Sequence, residues 1–221
     1  MKGLLFALTS VLAVSLSVHA ADVYVEKAAP HKPCPLRGNA PAKSKQKANE
    51  NVLKNRWNPP TAADFDSTVT IQALVQPGND QTRWDAHRAA RISGYVAVVA
   101  PGTRGESCNC GAKAAIDADT HIALVADKST AQDKRTYVIL EITPRIRENV
   151  AAQVPAIDWS TATVKNRLPG KRVEFEGWLF FDAAHAGEAT NTHPNDPKHA
   201  NWRATCWEIH PVTSLRVLGT P

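Results

Sequence analysis

Apolar and polar residues alternate along this chain in several short runs, and the spacing of those runs predicts the fold. Arg91–Ala100 (Arg-Ile-Ser-Gly-Tyr-Val-Ala-Val-Val-Ala), Thr120–Ala126 and Tyr137–Thr143 read as three strands. Pro144 suits a helix start, so Arg145–Gln153 reads as a helix, with a second helical turn near Ala162–Asn166. Pro169-Gly170 turns the chain into a fourth strand, Arg172–Asp182, and Trp202–His210 is the fifth, prolonged past Pro211 by Ser214–Leu218. Upstream, Thr68–Val75 alternates like one more strand, Pro77-Gly78-Asn79-Asp80 is a turn, and Trp84–Ala90 suggests one helical turn.

Strand, strand, strand, helix, strand, strand is the order of the OB-fold. The expected fold is therefore mainly β: a five-stranded OB-like Greek-key barrel with one helix between strands three and four, plus an N-terminal extension. Gly94 and Gly177 sit midway along strands one and four, where tight closure calls for a bend or bulge. Within Val173–Phe181 the odd positions are Val, Phe, Gly, Leu and Phe and should fill the barrel; Glu174, Glu176, Trp178 and Phe180 then point outward, as does Asp182. In the fifth strand Trp207 and Ile209 share the core face, leaving Glu208 and His210 side by side on the other.

The N-terminus changes the picture. Lys2 followed by an apolar Gly3–Val18 and the small-x-small Val18-His19-Ala20 reads as a signal peptide cleaved near Ala20. This divides the chain into a signal peptide (1–20), a basic Pro/Lys-rich arm (21–60) and a barrel domain (61–221). The mature protein is expected in the periplasm or secreted, with no transmembrane segment. From Glu26 to Arg56 eight Lys/Arg face Glu26 and Glu50, a net +6; from Trp57 onward 17 Lys/Arg face 18 Asp/Glu, a net −1. The basicity belongs to the arm, which reads as a solvated tether and secondarily as a polyanion contact. A folded nucleic-acid binder usually carries a basic face within its domain, whereas this barrel is close to neutral overall. Cys34, Cys108, Cys110 and Cys206 all survive cleavage, and an even count in an exported chain points to disulfides, their pairing open.

Glu106-Ser107-Cys108-Asn109-Cys110, Asp119-Thr120-His121-Ile122, Gly177-Trp178-Leu179-Phe180-Phe181-Asp182 and Trp207-Glu208-Ile209-His210-Pro211-Val212 together resemble a group of small exported bacterial proteins with OB-like barrels. The resemblance spans roughly Arg91–Val217. It implies the fold and export, and carries no activity, because the group has no established one.

Two kinds of site are written into the residues. Asp119/His121, Asp182/His185 and Glu208/His210 are His–carboxylate pairs at strand ends, chemistry that suits a divalent metal or general acid–base work, and His193, Asp196 and His199 lie in the neighbouring loop. His121, Asp182, His185, Glu208 and His210 are the catalytic candidates of a divalent-metal-dependent hydrolase. Each pair alone has a plainer reading as a hydrogen-bonded strand end or turn cap. Trp178, Phe180 and Trp202 are the candidate ligand platforms, with Trp207, Tyr95 and Tyr137 as further aromatics. HExxH, GxSxG, P-loop and GxGxxG motifs are missing, so no nucleotide or organic cofactor is called for and a divalent metal is the one ion the residues suit. The leading expectation is a non-enzymatic OB-fold binding module of the cell envelope, taking a polymer or a protein partner. The hydrolase is the alternative, and a pocketless structural protein the third reading.

Overall fold

The computed structural model describes residues 34–154, 156–194 and 200–219. The expected signal peptide (1–20), residues 21–33 of the arm, Asp196 and His199 lie outside the described residues. The arm carries helix α1 (Lys45–Lys54), and a single helical turn α2 (Ile71–Leu74) precedes the barrel. Strands β1 (Ala89–Pro101), β2 (Thr120–Val125) and β3 (Val138–Ile142) follow. Helices α3 (Pro144–Gln153) and α4 (Thr161–Arg167) lead to β4 (Arg172–Phe181) and β5 (Trp207–Val217). The five strands close in the order β1-β2-β3-β5-β4, as the sequence order requires for an OB barrel. Neighbours are antiparallel except β3 and β5, which are parallel and in register at Leu140 and Ile209.

Alternation fills the interior. Ile92, Ile122, Leu124, Leu140, Phe175, Leu179, Trp207 and Ile209 form one core, which α3 joins through Ile146 and Val150. Thr143 caps α3 by accepting from the Ile146 N–H, and Pro144 occupies its first turn. The two glycines act differently from each other. At Gly177 the β4–β5 register shifts, and a Cβ would meet the Pro211 carbonyl oxygen at 2.2 Å. Gly94 stays in register with Val173, and the β1 bulge falls two residues later, between Val96 and Val98; its missing Cβ makes room for the Val125 carbonyl.

Three elements differ from expectation. Thr68–Val75 is not a strand: Thr70 caps α2, and Ile71 and Leu74, three apart, bury together. The start of the fifth strand moves from Trp202 to Trp207, because 202–206 belongs to a loop that folds back on itself. There the Arg203 guanidinium donates to the Thr205 carbonyl, and the Trp202 N–H to that of Glu188. Trp84–Ala90 is turn running into β1 rather than a helical turn.

The arm departs most from its reading as a solvated tether. From Cys34 onward it is docked. Asn51 and Asn55 are buried; Asn55 Nδ2 donates to the carbonyls of Leu36 and Cys108, and Arg56 donates to those of Ala86 and Leu179. Arg145 of α3 donates to the carbonyls of Cys34 and Pro35. A disulfide joins Cys34 to Cys110 in the β1–β2 loop. Cys108 and Cys206 do not form a second bond. They are free and buried apart: Cys108 turns toward Asp119 and Glu106, and Cys206 contacts Thr192.

Candidate functional site

The outward face of the barrel is not solvated where β2, β3, β5 and β4 adjoin. His121 stands directly opposite Glu141 in the β2–β3 pair, and Phe180 opposite Glu208 in the β4–β5 pair. Because Leu140 and Ile209 are aligned and face inward, Glu141 and His210, one residue on, emerge together on the outer face. Helix α1 and the β1–β2 loop cover this face and bring their own charges. Lys54 of α1 lies 3.7 Å from Asp182, 4.0 Å from Glu106 and 5.0 Å from the centre of the Phe180 ring.

The result is a buried ionic layer. His210 is fully enclosed; its Nδ1 lies 3.3 Å from both Glu208 Oε2 and Glu141 Oε2, and its Nε2 3.9 Å from Asp119 Oδ2. Arg203 donates to Glu208 at 2.7 Å, and Asn109 to Asp119 at 2.9 Å. His121 Nε2 is 3.2 Å from Glu141 Oε1. The side chains of Asp119, Glu141, Glu208 and His210 are at most 4% exposed.

Burial and charge oppose one another throughout this layer. Burial favours neutral Asp119 and Glu141 adds repulsion, so the Asp119 carboxyl is raised to about 6. Burial would likewise raise Glu141, but His121 and His210 outweigh it and hold this carboxylate well below the usual range. Burial lowers His121, yet Glu141 more than compensates and raises it to about 9. His210 and Lys54 are raised against burial by the same carboxylates, Glu141 foremost. Burial pushes the Cys108 thiol far up, so it is no ready nucleophile.

The structure thus brings together four of the five catalytic candidates, His121, Glu208, His210 and Asp182, along one covered face. His185 stands at its rim, with Nδ1 2.8 Å from Asp182. Asp182 also caps its own turn, accepting from the Ala184 N–H. His193 is exposed and contacts the Ala186 carbonyl, away from the layer. Sequence reasoning missed Glu141, Lys54 and Arg203. Glu141 carried a signal, being the lone charge in the apolar run Val138–Ile142. Lys54 and Arg203 carried none, since only the folding of arm and loop brings them here. A buried Asp80 was also missed. It accepts from Thr205 and Asn191, its carbonyl accepts from Trp207 Nε1, and it ties the 77–80 turn to the segments around Asn191 and Thr205.

The ligand platforms separate as well. Phe180 is buried under Lys54 and meets His210 edge-on, so it is packing rather than a platform. Trp202 is held by Glu188 and contacts His185 and Arg203. Trp178 stays at the surface, its indole N–H donating to the Asn58 carbonyl and the Arg56 guanidinium stacked on its ring at 4.9 Å. Leu36, Val52, Arg56, Trp57, Asn58 and Trp178 enclose a groove of about 220 Å³ between arm and β4. No helix among the described residues is long and apolar enough to cross a membrane. No protein-family model matches the chain, and no curated protein matches its sequence.

Proposed function

We propose that the protein is an exported, non-enzymatic binding module of the cell envelope, in which arm and barrel together present a ligand surface. One observation carries this reading: Asp119, Glu141, Asp182, Glu208 and His210 are buried beneath α1, with His121 and His185 half-buried at the edge of the layer, whereas the groove around Trp178 is open. A substrate must reach its acid and base; OB barrels hold polymers across strands two and three and the adjoining loops, and here the open groove lies instead between arm and β4. Trp178 and Trp57 offer stacking area, and Arg56 a cation, in a groove sized for part of a polar polymer or a protein side-chain cluster. Arg37, Lys43 and Lys45 of the arm face solvent and supply the polyanion contact. The Cys34–Cys110 disulfide agrees with an oxidising compartment, hence with the signal peptide and a periplasmic or secreted location.

Screening the mature protein and a Trp178→Ala variant against envelope glycans, polyanions and peptides tests this. The reading expects at least one class bound by the wild type and bound about tenfold more weakly by the variant, the loss of one stacking contact. Metal-dependent turnover of an ester, phosphoester or peptide that His210→Ala abolishes would replace it with the hydrolase.

A further inference from the structure

The ionic layer contains more than a balanced set of pairs. Among the described residues, Asp119 Oδ1, Glu141 Oε2 and His210 Nε2 are buried polar atoms without a hydrogen-bond partner, as are the neighbouring His121 Nε2 and, elsewhere, Arg145 Nη1 and Asn149 Nδ2. Such orphans are uncommon in a folded interior and ask for a ligand. Asp119, Glu141 and His210 belong to one cluster, in which a donor atom from each residue lies within 4.8 Å of the others. Lys54 and Arg203 have carboxylates of their own, Asp182 with Glu106 and Glu208 respectively. Asp119 and Glu141 have only histidines within ion-pair distance among the described residues.

The surroundings of His210 are those of a ligating imidazole. Its Nδ1 lies 3.3 Å from both Glu208 Oε2 and Glu141 Oε2 and is hydrogen-bonded to Glu208, which is itself fixed by Arg203. With the proton on Nδ1 given to that carboxylate, the Nε2 lone pair is directed toward Asp119. A carboxylate holding the far nitrogen is how metal-bound histidines are oriented. His121 Nε2 lies 3.2 Å from Glu141 Oε1 at ion-pair distance, while Glu141 Oε2 lies 3.3 Å from His210 Nδ1 without a hydrogen bond. Two donors on one tetrahedral zinc ion stand roughly 3.4 Å apart at ordinary bond lengths, so small side-chain rotations close the cluster on an ion. Cys108 Sγ lies 3.9 Å from Asp119 Oδ2, and Glu106, Cys108 and Asp119 form a second group sharing that aspartate. A nitrogen donor with sulfur at hand selects a borderline-soft first-row ion over magnesium or calcium.

We propose that Asp119, Glu141 and His210 hold one divalent first-row transition ion, zinc being the probe, in a closed site beneath the arm. The site is structural: the ion replaces the charge balance that the histidines otherwise supply, and it knits β2, β3 and β5 together where α1 lies over them. This stands independently of the Trp178 groove, and neither test decides the other.

Because the site is sealed, it is loaded during folding. The mature protein is unfolded with reductant and chelator, then oxidatively refolded with and without zinc, dialysed, and measured for zinc per chain and for melting temperature. The expected result is one zinc per chain and a raised melting temperature. Asp119→Asn and His210→Asn should lose retention at least tenfold. Glu208→Gln, which touches no ligand atom of the ion, should weaken it ten- to a hundredfold by releasing the imidazole. His185→Asn, at the rim, should leave it unchanged. Wild-type protein that refolds with its disulfide and circular dichroism intact but keeps no zinc overturns the proposal. So does zinc retained equally by folded Asp119→Asn and His210→Asn chains. If those variants do not fold, Glu208→Gln and His185→Asn decide it: equal retention in both contradicts the site.

Discussion

The two faces of the same strands are buried to the same degree by opposite means. Inside the barrel, Leu140, Leu179, Trp207 and Ile209 are enclosed by one another. Outside, Glu141, Glu208 and His210, their immediate neighbours in sequence, are enclosed by an arm that begins far away in the chain. The inner face needs only apolar area, about 25 cal/mol per Å² removed from water. The outer face must find a partner for every charge, or the charge is too costly to bury. Alternation alone therefore produces the inner core, and the outer layer exists only while arm, β1–β2 loop and barrel stay together.

Breaking the joint between the two should have the largest effect. Cys34→Ser with Cys110→Ser opens a loop spanning 76 positions, worth about 4.5 kcal/mol in the chain-entropy picture. It should also expose Cys108 to alkylation, and denaturant melts with thiol labelling measure both. Arg203→Met comes next at about 4 kcal/mol, because it leaves Glu208 charged and buried without its guanidinium. The double variant Arg203→Met/Glu208→Leu should recover most of that loss, and a double loss equal to the sum of the two single losses would show the pair to be independent. On the inner face Leu140→Ala should cost about 3 kcal/mol through transfer and cavity terms, with no partner substitution that restores it by charge.

A smaller effect separates the faces by pH. Burial opposes ionisation of Asp182, but the His185 hydrogen bond and Lys54 prevail and hold its carboxylate well below the ordinary value. Its folded pKa is depressed, so its contribution is present above about pH 4 and fades as pH falls below that. Asp182→Asn should lower stability at pH 7 and flatten the acid limb of a melting-temperature profile; Leu140→Ala should shift the profile down without changing its slope. Trp178→Ala should move stability least, by under about 1 kcal/mol, since it removes one hydrogen bond and one partly exposed ring.

The contrast explains what the sequence could and could not say. Four strands and α3 were legible because their periodicity is set by the inner face, and the odd-position core of β4 follows from it. Thr68–Val75 alternates too, yet Thr70 had a second use as a helix cap, and a two-residue period over eight positions did not exclude it. At the fifth strand, Arg203 and Trp202 read as strand residues because their hydrogen-bond partners, Thr205 and Glu188, were invisible in a linear pattern. His210 beside Glu208 was legible from strand alternation. Asp119 and His121 were legible as a pair, but not their shared neighbour Glu141, which arrives by cross-strand register. Lys54 was assigned to a solvated tail on charge alone. Nothing local marks a lysine that will be buried, and only the docked position of α1, with the disulfide that ties down its segment, reveals it.

The central claim is that the arm is part of the fold and seals the ionic face. Counting and mapping free thiols under non-reducing conditions, first native and then denatured, tests it most directly. The account predicts no alkylation of the native protein, two labels per chain after denaturation, both on Cys108 and Cys206, and a Cys34–Cys110 linked peptide. Rapid labelling of Cys108 in the native protein, or a free Cys34, would contradict it.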